Sequence, residues 1–154
     1  MLTKKGKYGL KAMIALASLP EGEMAFSAEI ALAERIPKKF LDAILLELRR
    51  SGLVKSRKGP AGGYALALPA ADISIGACMR VLDGPLAPIS CASRTAFVPC
   101  QDCNDVAECL VRRAMTEVRD AISDILDAQT LADLAKADKR NLSNIRELRP
   151  AAAG

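Results

Sequence analysis

The chain of 154 residues carries 22 Lys and Arg against 18 Asp and Glu, five Cys, no His and no Trp. That length suits one domain with an appended helix, and with three Phe and two Tyr the core must come from Leu, Ile, Ala, Val and Met, which favours helices. No charged segment leads into an apolar run at the start and no uncharged apolar run approaches about 18 residues, so no secretory leader and no membrane span are expected, and the cytoplasm is the expected compartment.

Charge is unevenly placed. Residues 1–60 hold 12 Lys and Arg against 6 Asp and Glu, while residues 61–154 hold 10 against 12. A basic N-terminal part points to a polyanionic partner there.

Residues 4–18 read as a helix, with Tyr8, Ala12, Met13, Ala15 and Leu16 at helical spacing and Lys4, Lys5, Lys7 and Lys11 on the polar side. "LPEGE" breaks it. Ser27 is expected to cap a short helix to about residue 34. Pro37 suits the first position of the next helix, 37–51, whose apolar face is Phe40, Leu41, Ile44, Leu45 and Leu48 and whose stop is Gly52. Two extended runs, 54–58 and 64–68, flank "GPAGG" and predict a β-hairpin. A short helix in 73–88 is ended by Gly84 and Pro85. From 106 to 127 runs a long helix with Asp105 and Glu108 as its capping pair. Its Val111, Met115, Val118, Ile122 and Ile125 alternate by four and three, a heptad-like stripe fit to pair with another helix. "TLADL" (130–134) adds a last turn, and the polar tail is expected to be loose.

Helix, helix, turn, helix and hairpin in this order predict a mainly α fold with a small β-hairpin, a winged helix-turn-helix. Its second helix would present Lys38 and Lys39 to a major groove. Two cations at a helix N-terminus oppose the helix dipole by about 0.3–1 kcal/mol each, which a phosphate would offset. Asp42, one turn on, can accept from a cytosine amino group. Lys55, Arg57 and Lys58 bring three cations to the hairpin, whose glycines, Gly62 and Gly63 among them, let backbone approach DNA. Taken singly, each lysine reads as a solvated face and each glycine as a turn residue; their order favours DNA.

Four of the five cysteines fall within nineteen residues, as Cys91-x8-Cys100-xx-Cys103-x5-Cys109. In a reducing compartment such a cluster points to metal or redox chemistry rather than structural disulfides. Thiolates hold soft metals and iron–sulfur clusters. A zinc site and a metal-free thiol–disulfide switch fit the same spacing. Cys78, in "GACMRVL", reads as a core residue. An enzyme, a cluster carrier or an assembly protein is the competing class. Against it stand the absence of His, of a nucleophile–base pair and of a phosphate-binding loop.

"LTKKGKYGLKAM", the wing "GLVKSRKGPAGGYALA" and the cysteine loop before a long helix resemble the Rrf-type family of winged-helix transcriptional regulators. That family includes the iron–sulfur cluster regulator IscR, the nitric-oxide sensor NsrR and the rhizobial iron regulator RirA. The resemblance spans residues 1 to about 135. It implies a homodimer reading a palindromic operator in double-stranded DNA. The implied regions are a winged domain (1–84), a cysteine-rich sensor loop (85–105), a dimerisation helix (106–135) and a flexible tail (136–154). It places Pro37, Lys38, Lys39, Phe40 and Asp42 toward the groove and Lys58 on the wing, with Ser27 and Tyr64 in the same DNA-facing set. It also implies an iron–sulfur cluster, [2Fe–2S] or [4Fe–4S], on cysteines of the loop. Cys91, Cys103 and Cys109 match the family's three ligands, although the first gap is longer. The family's further ligand is a His or an N-terminal acid; the matching positions here are Arg112 and Lys7. Cys100, brought in by an apparent insertion, is the natural replacement, with zinc the alternative metal.

Overall fold

The computed structural model describes residues 2–138. Helix α1 (Lys4–Ala17) opens on Thr3, whose hydroxyl accepts from the Gly6 N–H at 3.0 Å. Its two glycines answer to packing. A Cβ on Gly6 would stand 2.2 Å from an Asp83 carboxylate oxygen, and one on Gly9 would stand 2.5 Å from Leu82 Cδ1. Both partners are side chains of helix α4 (Ile75–Asp83), so the two glycines make room on α1 for Leu82 and Asp83. The Thr3 N–H donates to Asp83 at 2.9 Å and closes that contact.

Helices α2 (Ser27–Glu34) and α3 (Lys38–Arg50) form the helix-turn-helix. Ser27 is not the cap of α2. Phe26 holds that position, and the Glu29 carboxylate turns back to accept from its N–H at 2.7 Å. This leaves the Ser27 hydroxyl free to bond to Asp42. Pro37 stands at the cap of α3, one residue ahead of the expected place. Leu41, Ile44, Leu45 and Leu48 bury the inner stripe of α3 completely, and Gly52, at φ +82°, ends the helix.

Strands β1 (Val54–Arg57) and β2 (Gly63–Leu66) pair antiparallel, Val54 opposite Leu66 and Arg57 opposite Gly63. Ala25 adds a bridge to Tyr64, with N–H to carbonyl distances of 3.0 and 2.7 Å, and so anchors the wing to the entrance of α2. Gly63, at φ +124°, lies so close to Ala25 that a Cβ would meet its carbonyl oxygen at 2.6 Å.

The chain then passes a 3-10 turn at Ala70–Asp72, helix α4, a second 3-10 turn at Ser90–Ala92 and a long loop before helix α5 (Leu110–Ala128). The expected capping pair does not form. Asp105 spends its carboxylate on the Ala107 N–H, 2.8 Å away, within its own turn. Cys109 caps α5 instead, its Sγ accepting from the Arg112 N–H at 3.5 Å. No residue of α5 is buried, and Val111, Val118 and Ile125 of the apolar stripe are exposed.

The expected last turn is a separate helix, α6 (Leu131–Ala137), capped reciprocally by Thr130 and Asp133. Leu131 is wholly buried in the core that Met13, Ile30 and Leu41 share, and α6 packs on α1. A two-bond bridge fixes the α5–α6 turn: Ile75 N–H to the Gln129 carbonyl and Leu131 N–H to the Ile73 carbonyl, both 2.9 Å. Arg80 grips Asp127 with two bonds, 2.7 and 2.8 Å, and ties α4 to the end of α5. Of the expected tail, Lys136 and Ala137 belong to α6, and residues 139–154 lie outside the described residues.

Candidate nucleic-acid interface and thiol centre

A cleft of about 560 Å³ opens between the N-terminal ends of α2 and α3 and the wing. Ser27, Lys38, Arg57, Lys58, Gly63 and Tyr64 line it, six of the residues expected to face DNA. Arg49 lines it as well and donates to the Ser56 hydroxyl at 3.0 Å. Sequence reasoning missed Arg49, yet the signal was there. Positions 38, 42 and 49 are four and seven apart, which puts them on one face of α3.

The other expected residues are placed differently. Lys39 and Pro37 are exposed at the start of α3. Phe40 is 38% exposed and meets the Tyr8 ring edge-on, centroids 5.6 Å apart. Lys55 lines a second concavity, with residues 20–24 and 65–70, that shares Ser56 and Arg57 with the first. Gly62 is buried inside the wing, where a Cβ would stand 2.1 Å from the Arg57 carbonyl oxygen. Arg57 folds back on its own turn and donates to the Ala61 carbonyl at 2.8 Å.

Asp42 and Lys38 form an ion pair at 2.9 Å along one turn of α3. The Lys38 ammonium holds the Asp42 carboxyl below the usual carboxylate range, and the hydrogen bond from Ser27 adds to it. The pair is solvent-exposed and worth about 0.3–0.5 kcal/mol, so a stronger partner can open it.

The thiol centre lies at the foot of α5. The Cys100 and Cys91 sulfurs are 3.5 Å apart. The Cys103 sulfur lies within 4.8 Å of that of Cys100, and Cys109 stands near enough to Cys103 to shift its pKa, so the four thiols form one local group. Desolvation pushes the Cys91 thiol up, and the Cys100 thiol beside it adds to that. Cys103 moves up for the same first reason. Cys109 moves down, because the Arg112 N–H at the start of α5 points at its sulfur. As a donor set, four free thiols grouped in one loop fit a soft metal ion or an iron–sulfur cluster. Asp102, which the spacing did not single out, lies within the same 4.8 Å grouping as Cys100 and Cys103. Cys78 is apart from this group, fully buried between helices, where burial raises its pKa to about 11.

Two arginines fasten the loop to α5. Arg112 Nε donates to the Cys91 carbonyl at 2.8 Å, and its guanidinium stands 5.9 Å from the Phe97 ring centroid. Arg119 donates to the next carbonyl, Ala92, and also holds Asp120, which in turn accepts from Arg94 at 2.7 Å. Residues 112 and 119 are two helical turns apart and thus on one face. That spacing was visible in the sequence; the carbonyls they reach were not.

Residues 2–137 match the model of the Rrf2 family, described as iron-dependent transcriptional regulators. An rrf2-like HTH-type transcriptional regulator of Rhodobacter capsulatus is 42% identical over 140 residues, covering 89% of this chain and 93% of that one. The HTH-type transcriptional regulator CymR of Bacillus subtilis is 35% identical over 135 residues, 87% of this chain and 88% of its own. The solved structure of the B. subtilis CymR, named there a global cysteine regulator, superposes with a TM-score of 0.74 at 32% identity over 90% of this chain and 98% of that one. The structure of IscR from T. potens gives 0.69 at 30% identity, over 89% and 87%. The fold is therefore the winged helix of these regulators.

Proposed function

The chain belongs to the Rrf2 family of transcriptional regulators, and we propose that it is a cytoplasmic homodimer whose affinity for a palindromic operator is set by an iron–sulfur cluster on Cys91, Cys100, Cys103 and Cys109. The observation that carries this reading is the local group of four thiols at the foot of α5, with the loop pinned to that helix by Arg112 and Arg119. When bound, the cluster supplies an iron- and redox-sensitive link between the two ends of the loop.

The chain's own residues do the rest. Arg112 and Arg119 hold the loop's first turn against α5, so the order of the loop bears on where that helix starts and how it is held. The exposed stripe of Val111, Val118 and Ile125 is the surface through which two copies pair. Pairing sets the distance between two winged domains, which must match half-sites about one DNA turn apart. At each half-site Lys38, Lys39 and Phe40 meet the groove, with Pro37 fixing the entry of α3. Asp42 exchanges Lys38 for a base amino group, and Lys55, Arg57 and Lys58 contact phosphate from the wing. Gly62, Gly63 and Tyr64 hold the wing at the height of the cleft. Shifting the population of DNA-competent dimers is then a matter of differential affinity for the two loop states.

Anaerobic purification with iron, sulfide and zinc analysis tests the first half. Iron with matching sulfide is expected, and Cys103→Ala should lose it. The variant should also change operator affinity while its melting transition remains cooperative. Operator binding that is the same in both proteins, with and without iron, overturns the reading. Zinc in place of iron turns the thiols into a structural site and leaves the DNA-binding half standing.

A further inference from the structure

Five glycines take positive φ among the described residues, and one other residue joins them: Arg35, at φ 55° and ψ 49°. It occupies the turn between α2 and α3. A left-handed conformation crowds the Cβ of any L-residue other than glycine, and is tolerated where the surroundings hold it. The surroundings here do so without the Arg35 side chain. The Ile36 N–H donates to the Ala31 carbonyl at 2.9 Å, and the Ile36 side chain is buried. Lys11 reaches from α1 to the Glu34 carbonyl and pairs with the Glu34 carboxylate at 3.5 Å. The turn is thus set by its backbone and its neighbours, while the Arg35 guanidinium is exposed, with no hydrogen-bond or ion-pair partner among the described residues.

Its position matters more than its strain. Arg35 is three residues ahead of Lys38, so their Cα atoms are at most about 11 Å apart. Of the three cations at this end of α3, Lys38 is engaged by Asp42, whereas Arg35 and Lys39 have no such partner among the described residues. An unpaired, planar, five-donor cation next to a groove-facing helix end is the chemistry that recognises phosphate. We propose that Arg35 is a DNA phosphate contact, carried on the helix-turn-helix turn at the expense of backbone strain. This rests on the DNA-binding reading above and adds to it a residue that none of the expected interface residues includes.

The test uses the full-length dimer as isolated and a duplex selected by the wild-type protein from a randomised library of about 30 base pairs. Arg35→Gly relieves the strain and removes the charge; Arg35→Asn tolerates the same backbone and also removes the charge; Arg35→Lys keeps the charge. The Gly variant should melt roughly 2–4 °C higher than wild type. It should bind the duplex about tenfold more weakly, with the slope of log affinity against log salt lowered by about one per protomer. Asn should weaken binding to a similar degree, and Lys should bind within a few-fold of wild type. Lys58→Ala serves as the reference for a wing contact. If Arg35→Gly and Arg35→Asn keep wild-type affinity and slope while Lys58→Ala loses both, Arg35 is not a contact and the interface reading survives. If Lys58→Ala is also unchanged, the interface itself is wrong and the proposal falls with it.

Discussion

Single residues in this protein are fixed by what stands opposite them. Gly6 faces the Asp83 carboxylate at a distance that no Cβ can share. Gly6→Ala should therefore turn the Asp83 carboxylate away from Thr3 and lose about 1–3 kcal/mol of stability, read as a lower urea midpoint at unchanged slope. A glycine tolerated merely for flexibility would gain stability on the same change, since alanine is the better helix former. Cys78 shows the opposite logic. It is a thiol with no exposure and a pKa raised by burial to about 11. In native protein at pH 8 it should resist alkylation by iodoacetamide, and react at the rate of an ordinary thiol only in denaturant, as mass spectrometry of the modified peptides would show. Rapid native labelling of Cys78 would mean that the α1–α4 contact opens readily.

At the scale of elements, α5 is the outlier. Leu126 packs on the core, yet no residue of α5 is buried, and the exposed part of its apolar stripe is left to find a partner elsewhere. Val118→Glu places a charge in the middle of the stripe. It should leave the winged domain folded, shift sedimentation from dimer to monomer, and reduce operator affinity steeply; a variant that remains dimeric would move the interface off this stripe. The elements also show what was legible beforehand. The heptad stripe, the buried face of α3 apart from its exposed Phe40, and the hairpin around residues 59–63 follow from periodicity and turn chemistry and are found. The start of α5 was misread because Asp105 and Glu108 have the spacing of a capping pair. Nothing local reveals that Asp105 is used up within its own turn, or that a thiol takes the cap. Ser27 was misread for the same kind of reason: a good capping residue lost its place to Glu29, which reaches back to Phe26. The cysteine spacing was plain, but the arginines that fasten the loop depend on carbonyls 21 and 27 residues away, and no local pattern encodes those.

At the scale of the molecule, α5 joins the thiol centre to the winged domain and is gripped at both ends. The foot is held by Arg112 and Arg119 on the loop, the far end by Arg80 on Asp127 and by the bridge between residues 73–75 and 129–131. Arg119→Gln cuts one grip without touching a thiol. Iron uptake should persist, while the ratio of operator affinities with and without iron should shrink several-fold from the 5- to 150-fold that is usual for coupled sites, about 1–3 kcal/mol. An unchanged ratio in paired binding titrations would mean that the signal travels by another path. The fully buried Leu131 has a different consequence, for biosynthesis. The core beneath α1 lacks its last large side chain until the ribosome has gone about 22 residues past Cys109, roughly 1–4 s at ordinary elongation rates. All four thiols are therefore made before the DNA-reading fold can close. A message cut short ahead of Leu131 yields a chain with a hole in its centre rather than a winged domain freed from its thiol loop.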